Sequence, residues 1–146
     1  MSRLPPSVLY VCAMNRLRSP MAAALTRRLY GDAVKVESSG LRASDEVDPM
    51  AATVMQEVGV ELFDHKPRPM DEIDPADFEV IVALSPDARS AIEPLAAEGA
   101  EVDYWPVSDP SLMEGSREQV LEAYRDTRRE LEARIVGRFG PPPEWE

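Results

Sequence analysis

One cysteine, one histidine and a 6% aromatic share are all that this chain of 146 residues holds of those side chains. A single thiol closes no internal disulfide and builds no cysteine-based metal site by itself; its scarcity suits a reducing cytoplasm. His65, Cys12 and the carboxylates form no ligand-spaced cluster, so neither a metal nor an organic cofactor is expected. No apolar stretch approaches the length that crosses a bilayer, which predicts a soluble chain with no membrane contact. The opening MSRLPPSVLY has too short an apolar run and no small-residue end, so it does not read as a secretory signal. Positive charge is scarce too: 16 Lys and Arg against 27 Asp and Glu leave a net charge of −11, which argues against nucleic-acid binding.

The charge that is present is uneven. Residues 1–40 carry six basic side chains (Arg3, Arg16, Arg18, Arg27, Arg28, Lys35) against Asp32 and Glu37, a balance of +4, so the remainder carries −15. Acidic solvated helices account for most of that total. The basic start points to an anion pocket set in an acidic body.

Length and the absence of repeats or long linkers predict one domain over 1–146, with 140–146 as a loose C-terminal tail. SVLYVC (7–12) reads as a strand buried on both faces. Met21, Leu25 and Leu29 recur at helical spacing over 19–30, and Gly31 stops the run. VKVES (34–38) alternates like a strand. Asp48 and Pro49 open a helix through Val58, ended by Gly59. The Pro-rich, charged stretch 63–77 reads as loop with at most a short turn. FEVIVALS (78–85) is another buried strand, and Ser85-Pro86 opens a helix to Gly99. EVDYWPV (101–107) is the last strand, 108–115 is irregular, and Ser116 with Gln119 fits a capping box before a helix to Phe139. Alternating strands and helices imply a three-layer α/β/α fold around a four-stranded parallel sheet. Ligands in such sheets bind beyond the carboxyl ends of the strands. Cys12 ends the first strand and Asp109 lies just past the fourth, so thiol and acid fall on one edge of the sheet.

The loop between Cys12 and Arg18 joins a strand end to a helix start. Amides there lack helical partners and can converge on an anion. Arg18 adds a planar fork matched to two oxygens of a tetrahedral oxyanion, and the same field favours a thiolate. A thiolate beneath a bound phosphate is set for in-line attack. Ser19 is placed to donate to the sulfur, and Asn15 tolerates the left-handed backbone that a tight loop needs. A buried, inert Cys12 and a plain helix start at Ser19-Pro20 are the simpler readings of the parts. The ordered combination is what makes the signal.

VCAMNRLRSP resembles the active-site signature of the low-molecular-weight protein tyrosine phosphatases and the related arsenate reductases, in which an apolar strand leads into C-x5-R-S/T. VESSGL, FEVIVALSPDAR and VSDPS resemble the family's second strand, third strand and late Asp-Pro, so the likeness spans nearly the whole chain. The resemblance implies a phosphate-monoester hydrolase working through a phosphocysteine. Cys12 would be the nucleophile, Arg18 the phosphate and transition-state ligand, and Asp109 the general acid and then base. The loop Ala13, Met14, Asn15, Arg16, Leu17, Arg18 and Ser19 would hold the substrate, a phosphorylated protein or a small phosphate ester. Three Asp-Pro pairs occur; those at Asp48 and Asp74 read as caps or turns.

The chain departs from the family pattern in three places. Met14 stands where the family usually has Gly, Ser111 and Leu112 replace tyrosines after the Asp-Pro, and LRASDEVDP lacks an aromatic wall. Ring stacking on phosphotyrosine loses its platform. Two alternatives remain open: an arsenate reductase resolved by an external low-molecular-weight thiol, and a non-catalytic relative that binds oxyanions or phosphoproteins. A phosphocysteine carrier is disfavoured, since it needs neither Arg18 nor a late acid. His65 reads as a surface loop residue, with Lys66 and Arg68 as candidates for the pocket rim.

Overall fold

A computed structural model describes residues 4–145. Strand β1 (Ser7–Cys12) is buried along its whole length. Its β-branched and aromatic side chains suit a pleated ribbon packed on both faces. It lies between β2 (Lys35–Gly40) and β3 (Val80–Ala83), and β4 (Glu101–Tyr104) closes the far edge, giving the parallel order β2-β1-β3-β4. Register pairs Cys12 with Gly40, Val11 with Ala83, and Ala83 with Tyr104. All carboxyl ends therefore point to one edge.

Alternation along β1 divides the core. Val8, Tyr10 and Cys12 face a layer built from α1 (Arg18–Tyr30), α2 (Pro49–Gln56) and α4 (Arg117–Phe139). Leu9 and Val11 face Ala88 and Ile92 of α3 (Pro86–Ile92) on the other side. This is the expected three-layer α/β/α arrangement. Tyr10, Trp105, Phe139 and Tyr30 form a chain of ring contacts beneath α1 and α4. Among the described residues no helix is long and apolar enough to cross a membrane.

Several boundaries move for local reasons. β2 runs two residues beyond the expected Ser38, because Gly40 still pairs with Cys12 and also receives Pro69 on its outer side. β3 is shorter than 78–85: Phe78 closes a 3-10 turn over Pro75–Asp77, and the Ser85 side chain caps α3. The helix expected through Gly99 breaks at Ile92, since Pro94 has no amide to donate, and continues as 3-10 turns over Glu93–Glu98. β4 ends at Tyr104, although the Trp105 amide still reaches Ala83 O at 2.9 Å; Pro106 offers no further donor. α2 stops at Gln56, not Val58, and the chain turns through Gly59 at φ 76°. The capping box of α4 forms as expected, with Ser116 and Gln119 bonded reciprocally. The tail beyond Phe139 starts packed rather than loose: Gly140 and Pro142 are buried, and Gly140 O accepts from the Tyr30 hydroxyl.

Candidate functional site

The loop after β1 extends the sheet's own hydrogen-bond ladder. Leu41 N donates to Cys12 O at 3.0 Å, Arg42 N to Ala13 O at 3.1 Å, Ser44 N to Met14 O at 3.1 Å and Asp48 N to Arg16 O at 2.8 Å. His65 Nε2 lies 2.9 Å from Asn15 O. Every carbonyl from Cys12 to Arg16 is thus engaged from outside the loop. Among the described residues, none of the amides of Ala13 to Leu17 donates to another residue. Carbonyls tied outward and amides left without acceptors make the inner side of a tight turn attractive to anions.

Asn15 is the hinge of this shape. It is fully buried and, among the described residues, the one non-glycine with positive φ, at 53°. Its Nδ2 donates to Ser19 Oγ and Ser38 Oγ, and its Oδ1 accepts from Arg68 N, each at 2.9 Å. Gly40 supports it from β2: a Cβ there would stand 2.4 Å from Arg42 O and 2.6 Å from Asn15 N. Met14 keeps an ordinary negative-φ backbone, so the missing glycine costs no strain there. Its sulfur lies 3.1 Å from Arg42 Nε, at the outer wall.

Cys12 Sγ sits 2.9 Å from Ser19 Oγ. That hydroxyl already accepts from Asn15 and also lies 3.3 Å from Ser39 O. It has one hydrogen to give. With a neutral thiol, S–H donates to Oγ and the hydroxyl donates to Ser39 O. With a thiolate, the hydroxyl turns to the sulfur. The site therefore accommodates both charge states without moving a heavy atom.

Arg18 starts α1, and its Nη1 is held by Val107 O at 3.0 Å and Leu84 O at 3.2 Å. Those two carbonyls, just past β3 and β4, fix the guanidinium plane. Its Nη2 lies 3.8 Å from Asp109 Oδ2. Asp109 caps the 3-10 turn Pro110–Leu112, where Oδ1 accepts from Ser111 N at 3.0 Å and Ser111 Oγ at 2.6 Å. One cavity is lined by Cys12, Ala13, Met14, Arg16, Leu17, Arg18, Asp48, Asp109 and Ser111. Thiol, guanidinium and acid thus meet at the sheet edge where the sequence places them. A larger cavity lies at the opposite edge, beside Ser7, Phe78 and Leu95, and its lining includes neither thiol nor arginine.

Some residues read differently from the sequence. His65 is not a surface loop residue: it is half-buried under the Asn15 carbonyl. Burial holds its pKa below the usual imidazole value, with the cations Arg68 and Arg27 adding to the effect and the Asn15 hydrogen bond opposing it. Because its partner is a carbonyl, Nε2 carries the hydrogen. Lys66 and Arg68 do not line the cavity. Arg68 buttresses the loop from behind, donating to Ser38 O at 3.0 Å and pairing with Glu37. Asp48 caps α2 as expected, yet it also lines the cavity, 4% exposed, with Oδ2 accepting from Tyr124 OH at 2.7 Å. Burial and the Asp48 carboxylate together raise the Tyr124 pKa. No local sequence pattern links Tyr124 or His65 to Cys12.

A family model described as low molecular weight phosphotyrosine protein phosphatase matches residues 7–138. The arsenate reductase of Shouchella clausii (strain KSM-K16) is 30% identical over 130 residues, covering 88% of this chain and 91% of that protein. Among solved structures, an arsenate reductase in its oxidized state superposes with a TM-score of 0.78 at 26% identity, over 91% of this chain and 95% of that one. The low molecular weight protein tyrosine phosphatase from T. tengcongensis superposes with a TM-score of 0.71 at 25% identity, over 88% of this chain and 94% of that one.

Proposed function

This chain belongs to the low molecular weight phosphotyrosine protein phosphatase family, and on that premise we propose that it hydrolyses phosphate monoesters through a phosphocysteine on Cys12. The observation that carries the reading is the meeting of Cys12, Arg18 and Asp109 around one cavity, with Arg18 Nη2 3.8 Å from the Asp109 carboxylate. A bare anion-binding loop has no use for a carboxylate beside its arginine. An ester hydrolase needs one.

In the first step the Cys12 thiolate attacks phosphorus while the ester P–O bond breaks. The departing oxygen takes the electron pair and a proton from the Asp109 carboxyl. Arg18 and the loop amides hold the equatorial oxygens as charge shifts among them. In the second step water attacks phosphorus and gives its proton to Asp109. The S–P bond breaks, its electron pair returns to sulfur, and the Ser19 hydroxyl turns to donate to the thiolate. Inorganic phosphate leaves.

Wild type, Cys12→Ser and Asp109→Asn are compared on p-nitrophenyl phosphate and phenyl phosphate. Cys12→Ser is inactive on both. Asp109→Asn loses about 10²–10⁴ in kcat/KM on phenyl phosphate, and less on p-nitrophenyl phosphate, whose leaving group needs little protonation in the ester-cleaving step. Equal rates for wild type and Cys12→Ser defeat the proposal.

A second reading has support of its own in the similarity to arsenate reductases. Arsenate would condense with Cys12, releasing water. The chain holds no second cysteine, so an external thiolate would attack the Cys12 sulfur. The S–As bond would break with its electron pair going to arsenic, arsenite would leave, and a second thiol would reduce the mixed disulfide. Arsenite formed with glutathione or mycothiol, alongside negligible ester hydrolysis, selects this reading. Tight phosphate binding with neither turnover selects a non-catalytic binder.

A further inference from the structure

Arginines in this chain that are partly shielded from water are mostly committed. Arg18 is held by Leu84 O and Val107 O, Arg68 by Glu37 and Ser38 O, Arg128 by Val54 O and Glu57, and Arg138 by Glu101 and Asp103. Arg16 is different. Among the described residues its guanidinium makes no hydrogen bond or ion pair, and its Nε is buried without a partner. A buried donor on a permanently charged group is costly to leave unmatched. Asp48, which lines the same cavity, is already taken up by Met50 N and Tyr124 OH at 2.8 and 2.7 Å.

The Arg16 backbone is fixed, through Asp48 N on its carbonyl and the positive-φ Asn15 before it. Arg16 lines the same cavity as Cys12, Arg18 and Asp109. Among the described residues no aromatic side chain lines that cavity, so ring stacking on them supplies no affinity for a leaving group there. Arg42, resting on the Met14 sulfur, adds another cation on the outer side of the loop.

We propose that Arg16 is a specificity residue that receives a carboxylate carried by the substrate's leaving group, so that the preferred substrates are phosphate monoesters with a second negative group near the ester oxygen. The inference rests on the reading of residues 12–18 as the oxyanion loop. A guanidinium presents paired donors that match a carboxylate's two oxygens. Arg18 serves the phosphate, and Arg16 serves the remainder of the molecule. The two roles are separable because the Arg18 guanidinium is held by Leu84 O and Val107 O, whereas the Arg16 guanidinium has no partner among the described residues.

The test measures affinity by calorimetry with three probes: inorganic phosphate, phenylphosphonate and 3-carboxyphenylphosphonate. Wild type is expected to bind the carboxylated probe about tenfold more tightly than phenylphosphonate, the scale of one hydrogen-bonded charge pair. Arg16→Gln brings that ratio close to one, and Arg16→Lys, which keeps the charge but not the fork, leaves it in between. A wild-type ratio below twofold overturns the proposal. So does an Arg16→Gln variant that weakens both phosphonates by one common factor, since Arg16 would then be only a counter-charge for Asp48. Failure of wild type to bind inorganic phosphate removes the loop reading itself, a result distinct from a flat ratio with phosphate bound.

Discussion

Replacing Asn15 with alanine strikes the one position where backbone shape and side-chain bonding are both demanded. Its φ of 53° lies in a region that costs an ordinary L-residue about 1 kcal/mol or more. Its side chain makes three hydrogen bonds of 2.9 Å in a fully buried setting. Alanine leaves Arg68 N without its acceptor and strips donors from Ser19 and Ser38, at about 1 kcal/mol each. Together the loss is about 4 kcal/mol, a fall in Tm on the order of 10 °C for a domain of this size. Asn15→Gly relaxes the backbone but restores no bond, so it should recover about 1 kcal/mol relative to alanine. Chemical denaturation followed through the buried Trp105 reads both variants, and phosphate affinity is measured in parallel. An alanine variant within 1 kcal/mol of wild type, or a glycine variant no better than alanine, refutes the account of how this loop is held.

Gly40→Ala places a Cβ against backbone atoms of Arg42 and Asn15 that cannot swing aside; titration with inorganic phosphate should find at least tenfold weaker binding, about 1.4 kcal/mol. The pKa of His65 is lowered on folding, so the unfolded chain takes up a proton first: its contribution to stability is full above about pH 6.5 and is lost as pH falls toward the depressed value. Denaturation midpoints at pH 7.5 and 5.5 should therefore differ less in His65→Gln than in wild type, and an unchanged difference contradicts the burial argument. Tyr124→Phe removes the hydroxyl from the buried Asp48 carboxylate and should cost about 2 kcal/mol in the same assay.

The layer order was legible because the strands are short, apolar and separated by helical spacing, and because Ser85, Ser116 and Asp48 announce helix starts chemically. Boundaries blurred where one residue serves two neighbours. Gly40 looks like a stop and is instead the last rung of β2. Pro94 sits inside a run that otherwise reads as helix. Cys12, Arg18 and Asp109 could be brought to one edge on paper because strand ends in a parallel sheet share a direction. His65 and Tyr124 could not. Their link to the loop consists of contacts made across the fold, by side chains whose local surroundings look like any loop or helix face. Arg16 lay inside the recognised motif, yet only the packing reveals that its guanidinium has no partner.

The outward engagement of the carbonyls from Cys12 to Arg16 has a thermodynamic consequence for any guest. The cradle inherits its curvature from the segment that follows β2 and from His65, so capture of an oxyanion consumes little conformational freedom of the chain. Affinity is then governed by charge and desolvation, and a mutation in the 41–44 segment, which does not line the cavity, weakens capture by letting the empty loop collapse into other shapes.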